Sequence, residues 1–357
     1  MSASVLLDWL VSLSRREGSD VYLTFGAPPM LRTDDDMEPL REDPLDDADL
    51  ARIIGDLTSP DQQGDFSQEQ EFNMSVDLEG VGRFRVNMFR QRQHSGVVIR
   101  RINAQVPTLA DLKLPTLLGD LCCEKRGLVI MVGGTGSGKS TSLAAMIDYR
   151  NRARYGHILT IEDPIEYVHE HRRCIVTQRE VGSDTRSFDS ALKNALRQRP
   201  DVILIGEIRD QATMRHALNI AETGHLALAT LHANNADQAI ERIVNFFALE
   251  ERRQVLLNLS FNVRGILSQR LVRRKEGGRT VALEIMLNRG EVTRLIRSGD
   301  TSGLKREIAA NGSLGMQTFD QHLARLWQAG EIEDFVALAE ADDRPAMEGI
   351  IGPASEA

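Results

Sequence analysis

Apolar positions near the start of the chain recur at helical spacing, Leu6, Leu10 and Leu13 with Val5 and Trp9 beside them. They predict an amphipathic helix that stops at Gly18-Ser19-Asp20. Val21–Phe25 then reads as a strand, ended by Gly26-Ala27-Pro28-Pro29. Strict alternation over Glu71–Leu78 and again over Gly82–Arg90, with Gly80 between, predicts an antiparallel hairpin, and Gly96–Ile102 reads as its third strand. Residues 1–102 therefore read as a small α+β domain, and 103–116, with Pro107 and Pro115, as a linker. From Leu117 the pattern changes. Short β-branched runs (Leu128–Val132, Ile158–Ile161, Val202–Ile205, Leu226–Leu231, Val281–Leu287) alternate with helical stretches, which predicts an α/β domain over 117–290 with a mostly parallel sheet and helices on its faces. Residues 291–348 turn helical, with Phe319, Leu323 and Leu326 at core spacing, and 349–357 read as a loose tail.

Composition narrows the classes. The 357 residues hold 43 basic and 52 acidic side chains, a net charge of −9, which disfavours a general nucleic-acid binder. No run approaches the roughly 18 apolar residues of a membrane helix. The N-terminus lacks the basic start of a signal peptide, so a cytoplasmic chain is expected. Cys122, Cys123 and Cys174 supply neither a disulfide framework nor a zinc pair.

The chemistry centres on Gly133-Gly134-Thr135-Gly136-Ser137-Gly138-Lys139-Ser140, which matches G-x-x-x-x-G-K-[ST] between an apolar strand and a helix that continues through Thr141. Glycines there let backbone N–H groups converge on phosphate oxygens at a helix N-terminus. Lys139 would bridge the terminal phosphates of ATP, and the Ser140 hydroxyl would ligate Mg2+. Asp201–Glu207 is a buried-strand run ending in a carboxylate suited to the same metal, with Gly206 where an aspartate is usual. Glu162, Asp163 and Glu166 crowd the end of another strand, where a carboxylate can orient an attacking water. His225 and His232 flank the strand between them, too far apart for a helical metal pair but placed to sense a γ-phosphate. His169 and His171 lie in a polar run and read as exposed.

Taken together, these blocks resemble the bacterial secretion-ATPase superfamily, and within it the PilT/PilU branch of type IV pilus retraction ATPases. The resemblance spans nearly the whole chain. It runs through Gly18-Ser19-Asp20, Arg83–Asn87, the phosphate loop, Thr160–Tyr167 (the Asp box), Leu192–Asp210 (Walker B and its flanks) and Glu222–Asn235 (the His box). It implies a PAS-like N-terminal domain, a RecA-like ATPase domain and a homohexamer hydrolysing ATP between subunits. By position, Glu166 is then the water-activating base, Glu207 the Walker B acid, and His225 and His232 the His-box pair. Arg85 and Arg100 are the arginines expected to reach a neighbour's nucleotide, where a guanidinium would stabilise transferring phosphoryl charge.

The departures within the branch point one way. Leu228–Asn235 and Met316–Gln321 agree with the PilU version, and the PilT block Ala-Ile-Arg-Asn-Leu has no match near Val292–Ile296. The resemblance thus implies an accessory retraction motor working with a PilT-type ATPase on the inner-membrane pilus platform, peripheral to the membrane through its partners. A nucleotide-binding regulator with little turnover would have no need of Lys139, Glu166 and Glu207 together. A RecA-like nucleic-acid translocase would need the basic and aromatic stretches that this chain lacks.

Overall fold

Helix α1 (Ala3–Arg15) buries Leu6, Trp9, Leu10 and Leu13 along one stripe. The computed structural model describes residues 3–352, apart from 17, 34–35 and 103–104. Strands β1 (Asp20–Thr24), β2 (Met30–Arg32) and β3 (Met37–Pro39) follow, then α2 (Asp47–Leu57) and α3 (Pro60–Glu69). Asp46 caps α2 by accepting from the Asp49 N–H, and Ser59 and Gln62 form a capping box on α3 with Pro60 in its first turn. The meander β4 (Glu71–Leu78), β5 (Gly82–Gln91) and β6 (His94–Ile102) completes an antiparallel sheet of order β3-β2-β1-β6-β5-β4. Alternation along β5 sends Phe84, Val86 and Met88 into the core and leaves Arg83, Arg85 and Asn87 on the other face.

The second part runs α4 (Thr116–Cys122), β7 (Gly127–Val132), α5 (Lys139–Ala153), β8 (Gly156–Glu162), β9 (Cys174–Glu180), α6 (Phe188–Ala195), β10 (Val202–Ile205), α7 (Gln211–Glu222) and β11 (Leu226–Leu231). It continues through α8 (Ala236–Asn245), α9 (Leu249–Asn262), β12 (Val263–Arg273) and β13 (Arg279–Leu287). Its sheet has the order β13-β12-β7-β11-β10-β8-β9, parallel except for the β12–β13 pair. β7, β10 and β11 are buried at every position, as central strands covered on both faces must be. Helices α10 (Glu291–Ser298), α11 (Leu304–Ala310), α12 (Phe319–Gln328), α13 (Asp334–Glu340) and α14 (Arg344–Ile351) close the described chain. The last three pack Phe319, Leu323 and Met347 against Val272 of β12 and Ala282 of β13. Arg270 secures them, its guanidinium 4.0 Å from the Phe319 ring and 2.7 Å from Asp342.

Contacts divide the chain into two units, residues 1–105 with 166–168, and the remainder. The expected linker is largely part of the second unit, because Leu109 and Leu114 are buried in its core and α4 starts at Thr116. Asn103 and Ala104, at the start of that linker, lie outside the described residues, as do residues 353–357 of the expected tail. Its earlier part, 349–351, ends α14. Four strands escaped the pattern: β2, β3, β9 and β12. β12 is the consequential one. Its Ser268 and Gln269 break an apolar run yet are both buried.

Candidate active site

Parallel pairing brings four strand ends to one edge of the sheet. Val132 of β7 is level with Leu231 of β11, and Ile205 of β10 lies between Ala229 of β11 and Ile161 of β8. The phosphate loop, His232, Glu207 and Glu162 therefore leave the sheet at its carboxyl edge, where open α/β sheets bind ligands.

The loop is held by close backbone approach. Gly133 and Gly138 have φ of +155° and +82°, and a Cβ on either would meet Gln269 at 2.5 Å or 2.8 Å. Only glycine fits there. Lys139, 9% exposed, folds back so that its ammonium donates to the carbonyls of Gly133 (2.9 Å) and Gly134 (2.7 Å). Gly134, Thr135 and Gly136 are exposed at the crest, and Ser140 and Thr141 are half-buried on the first turn of α5. The Ser137 hydroxyl is buried without a partner among the described residues, so the loop holds an unspent polar group of its own.

Glu207 is the hub of the opposite wall. Its Oε1 lies 3.1 Å from His232 Nε2, and its Oε2 accepts from the Arg209 guanidinium at 2.7 Å. Burial pushes His232 below the usual imidazole range, the Lys139 charge adds to this, and Glu207 opposes it. The ring is therefore neutral near pH 7 and donates to the carboxylate. Lys139, Glu207 and His232 form one electrostatic group. Glycine precedes Glu207 because a side chain at 206 would press on the Glu162 Cα and the Ile161 carbonyl, both 3.2 Å from its Cβ. Thr230 donates to the Gly206 carbonyl, tying the β10 exit to β11.

A model of the type II/IV secretion system protein family matches residues 32–284. The chain belongs to that family. It is 49% identical over 340 residues to the type IV pilus ATPase PilU of Pseudomonas aeruginosa, covering 95% of this chain and 89% of the relative. It is 44% identical over 324 residues to that organism's pilus retraction ATPase PilT, covering 90% and 94%. A crystal structure of the pilus retraction motor PilT with bound ADP superposes with a TM-score of 0.87 at 40% identity, covering 96% of this chain and 98% of that one. The fold is thus a RecA-like P-loop core preceded by a small PAS-like α+β domain.

The remaining predicted residues are more dispersed. Glu162 ends β8, accepting from Thr160 Oγ1 (2.7 Å) and Gln178 Nε2 (3.3 Å), so its carboxylate is engaged within its own strand pair. Glu166 is exposed, and its carboxylate makes no hydrogen bond or ion pair among the described residues. The structure does not bring His225 to the phosphate loop of its own chain. It precedes β11, whose six residues put it ~20 Å from His232 at ~3.3 Å per residue. There it contacts Thr223 Oγ1 at 3.2 Å. Arg85 and Arg100 are register partners on β5 and β6, and Arg100 donates to the buried Asp20 at 2.8 Å. His169, expected to be exposed, is 8% exposed, and burial pushes it down to about 4.

Arg209 and Glu180 have roles that the motifs do not signal. Arg209 orients Glu207, a role that sequence spacing does not signal. Glu180, buried at the end of β9, accepts from the Ile165 N–H at 3.1 Å and so fixes the Asp-box segment directly before Glu166. Recognising β9 as a strand would have exposed that role.

Proposed function

We propose that this chain is a PilU-type ATPase of type IV pilus retraction, hydrolysing ATP to drive twitching motility. The observation that carries this reading is the carboxyl-edge cluster of Lys139, Glu207 and His232, set beside the extensive similarity to PilU and PilT. In the assembly proposed here, six copies form a ring at the cytoplasmic face of the inner membrane, working with a PilT-type ATPase on the pilus platform. No helix among the described residues is long and apolar enough to cross a membrane, so platform contacts supply the attachment in this scheme.

The donor set suits a nucleoside triphosphate. Backbone N–H groups of the loop and the N-terminus of α5 face the phosphates. Lys139 would exchange its bonds to the Gly133 and Gly134 carbonyls for phosphate oxygens. Ser140 and Glu207 are the residues that would hold Mg2+, which when bound draws charge off the phosphates. Glu166 would take the proton of the attacking water. His232 reports the state of the site through Glu207, since any movement of that carboxylate changes the partner of its N–H. Arg85 and Arg100 are assigned to a neighbouring subunit's nucleotide.

Lys139→Ala and Glu166→Gln test the assignment. Lys139→Ala abolishes both tight ATP binding and turnover, because the phosphate-bridging charge is gone. Glu166→Gln keeps ATP binding within a few-fold and lowers phosphate release by about 100-fold or more, 100-fold being the low end of what a general base contributes. Parent-like turnover in Glu166→Gln would move the base elsewhere, with Glu162 the next carboxylate to test.

A further inference from the structure

Gln269 belongs to none of the motifs above, yet it bonds directly to the phosphate loop. It lies on β12, next to β7, and is 1% exposed. Its Nε2 donates to the Ser137 carbonyl at 2.7 Å, and its Oε1 accepts from the Ser142 hydroxyl at 2.7 Å. Ser142 is itself 1% exposed on the first turns of α5. The two bonds fix which way round the amide sits, since turning it over would set its oxygen against the Ser137 carbonyl. The same residue forms the wall against which Gly133 and Gly138 must lack side chains.

A planar trans peptide links these contacts to nucleotide binding. Among the described residues only the Asp163–Pro164 bond is cis, so the Ser137–Gly138 peptide is trans, and its C=O and N–H point in opposite directions. With the Ser137 carbonyl drawn toward β12, the Gly138 N–H faces away from β12. The following residue cannot enforce this alone, because Gly138 (φ +82°, ψ 18°) has no side chain to resist a peptide flip. We propose that Gln269 is a positioning residue that locks the Ser137–Gly138 peptide with its N–H aimed at the nucleotide phosphates. The proposal rests on the reading of residues 133–140 as the ATP site and adds a determinant outside the motif.

The test uses the full-length chain and three variants. Gln269→Leu removes both bonds at similar volume. Gln269→Glu keeps the acceptor for Ser142 but sets a carboxylate oxygen against the Ser137 carbonyl. Ser142→Ala, the mildest change, frees the amide to turn. For each, KM for ATP, kcat, Kd for ADP and the thermal midpoint are measured. The expected result is a rise of about tenfold or more in KM and Kd for the two Gln269 variants, the loss of one well-aligned hydrogen bond to a charged ligand, with kcat within a few-fold. Ser142→Ala moves KM in the same direction by a few-fold. Unchanged KM and Kd in the variants that keep the parent's thermal midpoint would overturn the proposal, and so would a fall confined to kcat. Lys139→Ala separates the two levels. If it too keeps the parent's KM, the reading of the site has failed; if it loses binding while the Gln269 variants keep theirs, only the role of Gln269 has failed.

Discussion

Two side chains set the residue-scale electrostatics, Lys139 at the start of α5 and His322 on α12. The role proposed for Lys139 comes from its spacing, since Gly-Lys-Ser between an apolar strand and a helix matches the phosphate-binding pattern. That its ammonium is held between two loop carbonyls, and that it helps keep His232 neutral, is visible only once β7 and β11 are paired. His322 carries no motif. Its Nδ1 accepts the Leu283 N–H at 2.9 Å, and burial pushes it from 6.5 down to about 4. The unfolded chain protonates this ring first, so the stability it confers is complete above pH 6.5 and is lost as the pH falls toward 4. At 1.36 kcal/mol per unit, the loss is roughly 3 kcal/mol. Urea unfolding across that range should show the parent losing about this much relative to His322→Asn, whose amide oxygen can accept the same bond without titrating. Parallel pH profiles for the two would contradict it.

At the scale of elements, legibility followed burial. Central strands covered on both faces read as continuous apolar runs, and the β4–β5 hairpin read as clean alternation. β9 was hidden because it is an edge strand with mixed exposure, buried at Cys174, Val176 and Glu180 but exposed at Ile175. β12 was hidden because its buried polar pair serves other elements rather than the core. Gln269 braces the phosphate loop, while Ser268 donates to Glu284, which accepts the Ala236 N–H at the start of α8. One strand thereby holds both the loop and the helix that follows His232. The tight fit predicts that Gly133→Ala, with its Cβ 2.5 Å from the Gln269 carbonyl, displaces the loop and weakens ADP binding about tenfold or more, since a forced backbone shift at a left-handed position costs on the order of 1–3 kcal/mol. Calorimetric titration with ADP checks this. Parent-like affinity would mean that the loop yields without cost.

At the scale of the whole molecule, sequence blocks conveyed the family and the order of the parts, and the boundary between the two units falls inside the expected linker, most of which joins the second core through Leu109 and Leu114. Arg85 and Arg100 test the proposed ring. Arg85→Ala leaves its unit folded, because its side chain lies on the face away from Phe84, Val86 and Met88. In a ring it lowers turnover by about 1000-fold, the low end for a trans-acting arginine. Arg100→Ala does the same and also lowers folding stability by about 1–3 kcal/mol, because it takes the guanidinium from the buried Asp20 carboxylate. Mixing either variant with parent chain should depress activity more steeply than the fraction of variant added. A linear decline would show that each subunit works alone.

In the function proposed above, residues 133–140, with Glu207 and His232, form a working ATP-hydrolysing site. Steady-state phosphate release by the purified chain, with Lys139→Ala as the blank, tests it most directly. Mg2+-dependent turnover well above the blank is the expected result. ATP binding without turnover above that blank, in the assembled ring and with a PilT-type partner present, would contradict it.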